Sequence, residues 1–279
     1  MTSPASVLGV VLATTAVGGS ALLWFAPTWG RVRHGYEILT AATVALLAWG
    51  GLASLSSPVA ALDDPALERL GDGARIALLV FAIATALAAV ALAVKLPPLV
   101  SRVLGGIGTA AGVGSFVPLA MIRDGLGGAG GTVQGLVELL LGAALLGAIW
   151  VGMILGHWYL VERRLSNRYM VWIAWTNVAA IGAGLGSVLL SARNPAPCEG
   201  LPPGGPFEQC ATMFAPILRI GAMTVYLGLG VLALLALIAF FNVKLAREGG
   251  RSIQASTGMF YLAVILAPAV EFAAKVRFF

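Results

Sequence analysis

The sequence predicts an all-α fold, a polytopic membrane protein with about eight transmembrane helices. Hydrophobic residues make up 59% of the 279 residues and charged residues only 10%, whereas about a quarter of a soluble domain is charged. The mean hydropathy is +0.94. Because the apolar residues form long runs rather than short alternating strands, we expect a single integral membrane domain, residues 1–279, built as a helical bundle.

Eight runs have about the 20 apolar residues that a helix needs to cross a bilayer. They lie at 4–26, 36–57, 75–95, 99–122, 133–161, 169–191, 214–243 and 253–274. The first has no basic residues before it and no convincing cleavage site, which indicates a permanent helix rather than a signal peptide. The fourth carries the weakest apolar signal, because it contains the stretch GGIGTAAGVGS followed by Pro118.

The distribution of positive charge predicts the orientation. One set of alternate loops and helix ends carries ten basic residues: Arg31, Arg33, Lys95, Arg102, Arg163, Arg164, Arg168, Lys244, Arg247 and Arg251. The other set carries seven: Arg69, Arg75, Arg123, Arg193, Arg219, Lys275 and Arg277. Since positive residues stay cytoplasmic, we expect a multi-pass protein of the bacterial inner membrane with both termini extracytoplasmic. A basic cytoplasmic face favours anionic lipid headgroups, so the pI near 9.6 requires no nucleic acid.

The two cysteines, Cys198 and Cys210, both lie in the predicted extracytoplasmic loop 192–213. That compartment is oxidising, and an isolated pair of cysteines there favours a local disulfide over two free thiols.

Two short stretches suggest an internal duplication. VKLPPLVSR at 94–102 and VKLAREGGR at 243–251 share Val-Lys-Leu and a following Arg at the same spacing, with an offset of 149 residues. A duplication would make residues 1–124 and 125–279 two parallel four-helix halves. Matches this short also arise by chance in such a biased composition, so both interpretations stay open.

Ionisable side chains inside a membrane are costly, and they are few here. Glu138 lies near the outer start of the fifth segment, Glu271 near the outer end of the eighth and Arg219 near the outer start of the seventh. We expect these three residues to form structural ion pairs that join helices in the outer leaflet. A substrate site is the alternative, but all three lie close to the interface.

The stretch ILGHWYLVERRLSNRYMVW, residues 154–172, places one of the two histidines of the chain among aromatic and basic residues. His157, Trp158 and Tyr159 lie at the cytoplasmic end of the fifth segment, and His34 begins the second segment on the same side, after Arg31 and Arg33. Aromatic residues at this depth ordinarily form an interfacial belt. The alternative is a cofactor site in which His157 turns inward towards His34, with the arginines close by.

Such a site suits a quinone or a lipid headgroup better than a haem b, because haem ligands in four-helix subunits usually lie deeper in the membrane. The sequence shows no nucleophile with a base, no dense carboxylate set and no metal-ligand spacing, so a self-contained active site is not expected. We therefore expect a membrane-embedded subunit or anchor of a larger, quinone-linked redox assembly, with other membrane or peripheral subunits as partners. The alternatives are a permease for a small neutral or lipid-like solute and a structural partner protein without a ligand.

Overall fold

The computed structural model describes residues 3–60, 62, 64–162, 165–196, 198, 204, 205, 208, 210, 212 and 221–278. Eight long helices occupy this described part of the chain. They are α1 (Pro4–Phe25), α2 (His34–Ala60), α3 (Pro65–Ala93), α4 (Pro98–Gly125), α5 (Gly131–Val161), α6 (Arg168–Ser191), α7 (Gly221–Glu248) and α8 (Ser252–Lys275). All eight are long and apolar enough to cross a membrane, which confirms the predicted polytopic helical fold.

The starts of α1 and α3 show local signals that an apolar run does not contain. Ser3 caps α1 in a reciprocal capping box, and Pro4 occupies the first turn, where no backbone donor is needed. The Asp64 carboxylate accepts a hydrogen bond from the Ala66 backbone N–H at 2.8 Å and caps α3. Helix α3 therefore begins ten residues before the predicted start at 75, since its first turns are polar and lie outside the apolar run.

Helices α1 and α5 form the centre of the bundle. In their most apolar stretches 78% and 72% of the residues are buried, against 28–44% in the other six helices described. The two backbones approach very closely, because a Cβ built on Gly18 would collide with the carbonyl group of Ala143, and one built on Gly147 would collide with Gly18 itself. Small residues thus allow direct backbone contact at the centre of the fold.

The two predicted halves pack in the same order. In each of them the first helix packs on the second, the second on the third, the third on the fourth, and the fourth on the first. The two central helices, α1 and α5, are the first helices of their halves. This arrangement agrees with a duplication, which itself stays a prediction.

The helices alternate in direction, so the bundle has two ends. We call the end where α2, α4, α6 and α8 begin the basic end, and the opposite end the acidic end. Between them the surface is strongly apolar, with exposed side chains such as Leu46, Ile76, Phe240 and Ile265 exposing between 63% and 72% of their area. An apolar surface of this extent indicates contact with lipid.

Candidate functional site

The two histidines at the basic end have different partners. His34 Nε2 lies 2.6 Å from the backbone oxygen of Leu92 at the end of α3, and His34 Nδ1 lies 3.6 Å from a carboxylate oxygen of Glu37, one turn further along α2. His157 is exposed, and its Nδ1 lies 2.7 Å from the hydroxyl of Tyr261 on α8. The structure therefore does not bring His34 and His157 together as a ligand pair, and their positions are those expected of an interfacial belt.

The two aromatic residues after His157 point into the bundle instead. Trp158 packs on α2 where Gly35 leaves room, since a Cβ on Gly35 would collide with the indole ring. Tyr159 is buried; its hydroxyl donates to the Ser166 carbonyl and accepts from the Met170 backbone N–H at 3.3 Å. Trp158 thus joins α5 to α2, and Tyr159 joins α5 to the start of α6.

The arginines predicted beside the histidines line an open cleft of about 330 Å³ at the basic end. We call it the arginine cleft; its lining residues are Arg31, Arg33, Glu162, Leu165, Ser166 and Tyr169. Arg33 Nε lies 2.7 Å from a carboxylate oxygen of Glu162, and 75% of the Arg33 side chain is exposed. The α1–α2 and α5–α6 connections meet in this cleft, so it offers hydrogen-bond donors and positive charge to a ligand outside the bundle.

A second polar cluster, the charge network, is buried inside the acidic end. At its centre the Arg123 side chain of α4 donates to Glu138 of α5 at 3.2 Å. The same guanidinium donates to the backbone oxygens of Ala129 and Gly131 at 2.7 and 3.2 Å, and to the side-chain oxygen of Asn194. Both charged side chains are fully buried, so the pair connects α4, α5 and the segment after α6 away from solvent.

The charge network continues into α8. Lys275 lies 3.3 Å from a carboxylate oxygen of Glu271, one turn before it, and both side chains are fully buried. The Lys275 ammonium also donates to the backbone oxygen of Glu138 at 2.9 Å and to the Ser187 hydroxyl at 3.2 Å. Gly142 makes this packing possible, because a Cβ there would collide with the Glu271 carboxylate. The network therefore links α5, α6 and α8 through charged groups.

The predicted ion-pair residues are thus found in the network, but with partners that the sequence reasoning did not identify. Glu138 pairs with Arg123 and Glu271 with Lys275, while Arg219 lies outside the described residues. Arg123 and Lys275 lie near helix ends, so the sequence alone indicates them only as topology signals. The spacing of four residues between Glu271 and Lys275 is the one signal in the sequence that could have identified a pair.

At the same end Cys198 and Cys210 form a disulfide, as predicted, with their Cα atoms 5.8 Å apart. The two cysteines are buried against Val7 of α1 and Val276 after α8. The disulfide therefore fixes the described part of the 192–213 loop against both terminal helices.

The two ends differ in how much of their charge is accessible. At the basic end, all eight Lys and Arg residues that the structure describes are exposed: Arg31, Arg33, Lys95, Arg102, Arg168, Lys244, Arg247 and Arg251. At the acidic end five carboxylates are exposed in the described residues: Asp64, Glu68, Asp72, Asp124 and Glu208. Of the six cations described at that end, three are buried, one is half-buried and two are exposed: Arg123, Lys275 and Arg277, then Arg75, then Arg69 and Arg193. Burial of the first three cations enlarges the charge asymmetry expected from the sequence alone.

The fold and these clusters define the class of protein, a polytopic helical membrane protein with a buried charge network at one end and an exposed basic surface at the other. Comparison of the chain with known protein families, with curated proteins and with solved structures finds no match.

Proposed function

We propose that the protein is a membrane-embedded subunit or anchor of a larger assembly, and that it binds its partner at the arginine cleft. The observation that carries this proposal is the concentration of exposed positive charge at the basic end. Arg31 and Arg33 project from the α1–α2 connection, and within the described part of the chain Arg33 is the one of the two with a carboxylate partner, Glu162 at 2.7 Å. An acidic segment of a partner would complement the remaining charge.

The same charge asymmetry supports the predicted orientation, with the basic end in the cytoplasm and both termini outside. A partner that binds the arginine cleft is then a cytoplasmic or membrane protein that reaches the cytoplasmic surface. A reporter fused to the C-terminus that is active only in the cytoplasm should be inactive, and activity of that fusion would contradict the orientation.

The buried charge network supports the anchor role. Each of its central ion pairs sits among several further hydrogen bonds, from backbone and side chains of three helices. Such a network holds helices in one arrangement. A rigid frame of this kind suits a subunit that positions a partner at the membrane surface.

A quinone-linked redox role stays a prediction. Quinone carbonyl oxygens accept hydrogen bonds, and the arginine cleft offers donors from Arg31, Arg33, Ser166 and Tyr169. A visible spectrum and a solvent extract of protein purified in mild detergent would show haem or quinone directly.

The partner proposal is tested by placing a photo-crosslinking residue at Ser166, which is exposed in the cleft, and irradiating intact membranes. We expect a protein adduct of defined mass, identified by mass spectrometry, that is weakened when Arg31 and Arg33 are both replaced by Gln. Arg102 is exposed at the same end but lies outside the cleft, so the same probe there is the matched control. A Ser166 probe that yields only lipid adducts, in a protein that purifies alone, would contradict the proposal.

A further inference from the structure

A large cavity lies on the lipid-facing side of the bundle, between α6 and α7. It has a volume of about 590 Å³, within the range of ligand pockets of roughly 300–1,000 Å³. Its walls are apolar along most of their length, and they include Val178 and Ile181 from α6 and Ala236, Ala239 and Val243 from α7. We call this cavity the α6–α7 groove.

The charged residues of the groove all lie at one end of it. Lys244, Arg247 and Glu248 occupy the last turns of α7, at the basic end. The Arg247 guanidinium lies 5.2 Å from the ring centre of Trp175 on α6, so it reaches across the mouth of the groove. Glu248 accepts a hydrogen bond from the Ser252 hydroxyl at 2.9 Å, and its single negative charge against the two positive charges of Lys244 and Arg247 leaves the mouth of the groove positive.

The length of the groove corresponds to one leaflet. The α7 residues that line it recur at intervals of three and four, which places them on one helix face. From Ala236 to Arg247 the helix rises about 16 Å at 1.5 Å per residue. This is about half of the roughly 30 Å hydrocarbon thickness, so the groove runs from the membrane surface to the middle of the bilayer.

We propose that the α6–α7 groove binds an anionic phospholipid from the leaflet at the basic end. The acyl chain lies along the apolar walls, the phosphate meets Lys244 and Arg247, and the indole of Trp175 lies at headgroup depth, where tryptophan is enriched. Juxtamembrane basic residues attract anionic lipids, and the exposed ring of Phe240 forms one wall of the groove. This proposal does not depend on the partner at the arginine cleft.

The test uses the full chain purified in mild detergent and titrated with phosphatidylglycerol or phosphatidylcholine of identical acyl chains, with bound lipid counted by native mass spectrometry. We expect one tightly bound phosphatidylglycerol. Replacing both Lys244 and Arg247 by Gln should weaken phosphatidylglycerol binding about 30-fold, from the contribution of two surface cations. Phosphatidylcholine binding should weaken less, because the choline cation already offsets the charge of its phosphate. The matched control replaces Lys95 and Arg102, which are exposed at the same end outside the groove, by Gln.

A second variant tests where the acyl chain lies. Ala236→Phe fills the groove without changing its charge, and because Ala236 is exposed the variant should melt at the native temperature. We expect it to bind less of both lipids. Equal binding of the two lipids by the native chain, equal losses in the control variant, or native binding by Ala236→Phe would each overturn the proposal. A co-purified protein that cross-links to residues of the groove would also overturn the proposal.

Discussion

Removal of the Arg123 charge should destabilise the protein more than removal of any exposed charge. Among the described residues, Arg123→Gln leaves the fully buried Glu138 carboxylate with amide donors alone, from Gln134 at 2.9 Å and Asn194 at 3.4 Å. Loss of one partner of a buried ion pair costs about 3–5 kcal/mol. At about 2–4 °C per kcal/mol, the melting temperature should fall by about 6–20 °C.

The assay is thermal unfolding in mild detergent, followed by tryptophan fluorescence. Arg75→Gln is the matched control, because Arg75 lies 3.6 Å from Asp72 in a pair whose side chains are 42% and 61% exposed. Exposed pairs contribute about 0–1 kcal/mol, so this variant should melt close to the native protein.

The double variant Arg123→Gln with Glu138→Gln supplies the second half of the test. Because it removes both charges, it should be more stable than the sum of the two single losses predicts, by about 0.5–3 kcal/mol. If Arg123→Gln melted at the same temperature as Arg75→Gln, or if the two single losses simply added, the buried pair would not hold these helices together.

Three further predictions concern packing, the disulfide and the histidine. Gly18→Ala should prevent stable folding or lower the melting temperature sharply, because the added methyl group meets backbone, whereas Gly114→Ala has open space and should be neutral or stabilising by about 0.4–1 kcal/mol. Replacing Cys198 and Cys210 by Ser should cost about 3 kcal/mol; equal melting of the native protein with and without reductant would contradict this. His157→Gln should leave stability and any co-purified partner unchanged, since the side chain is exposed; loss of the partner would contradict this prediction.

The number and type of helices could be predicted because hydrophobic length is a local property of the sequence. The start of α3 could have been predicted as well, since Asp64 followed by Pro65 is a helix-start signal. This signal lies outside the apolar run, so hydrophobic length alone does not predict it. The central position of α1 and α5 could not be predicted from the sequence. It depends on how closely two helices approach, and Gly18 and Gly147 show their effect only when they meet each other.

The positions of the candidate site residues near the helix ends could be predicted from the sequence, but their contacts could not. Helical spacing requires His157 and Trp158 to point about 100° apart, and it does not determine which of the two faces the bundle. The absence of a side chain at Gly35 determines this, because it leaves room for the indole on α2. The contact between Arg33 and Glu162 in the arginine cleft could not be predicted for a similar reason. The two residues are brought together only by packing between two connections distant in sequence.

The two ends of the bundle differ in the burial of their charged side chains, and this difference indicates at which end residues of a binding surface can be replaced most easily. At the acidic end each buried charge depends on a specific partner, so replacement of Arg123 or Lys275 leaves a carboxylate without its cation. At the basic end the cations are exposed and cost little to replace. The proposed partner site and the proposed lipid site both lie at the basic end, so each can be altered there without loss of the fold.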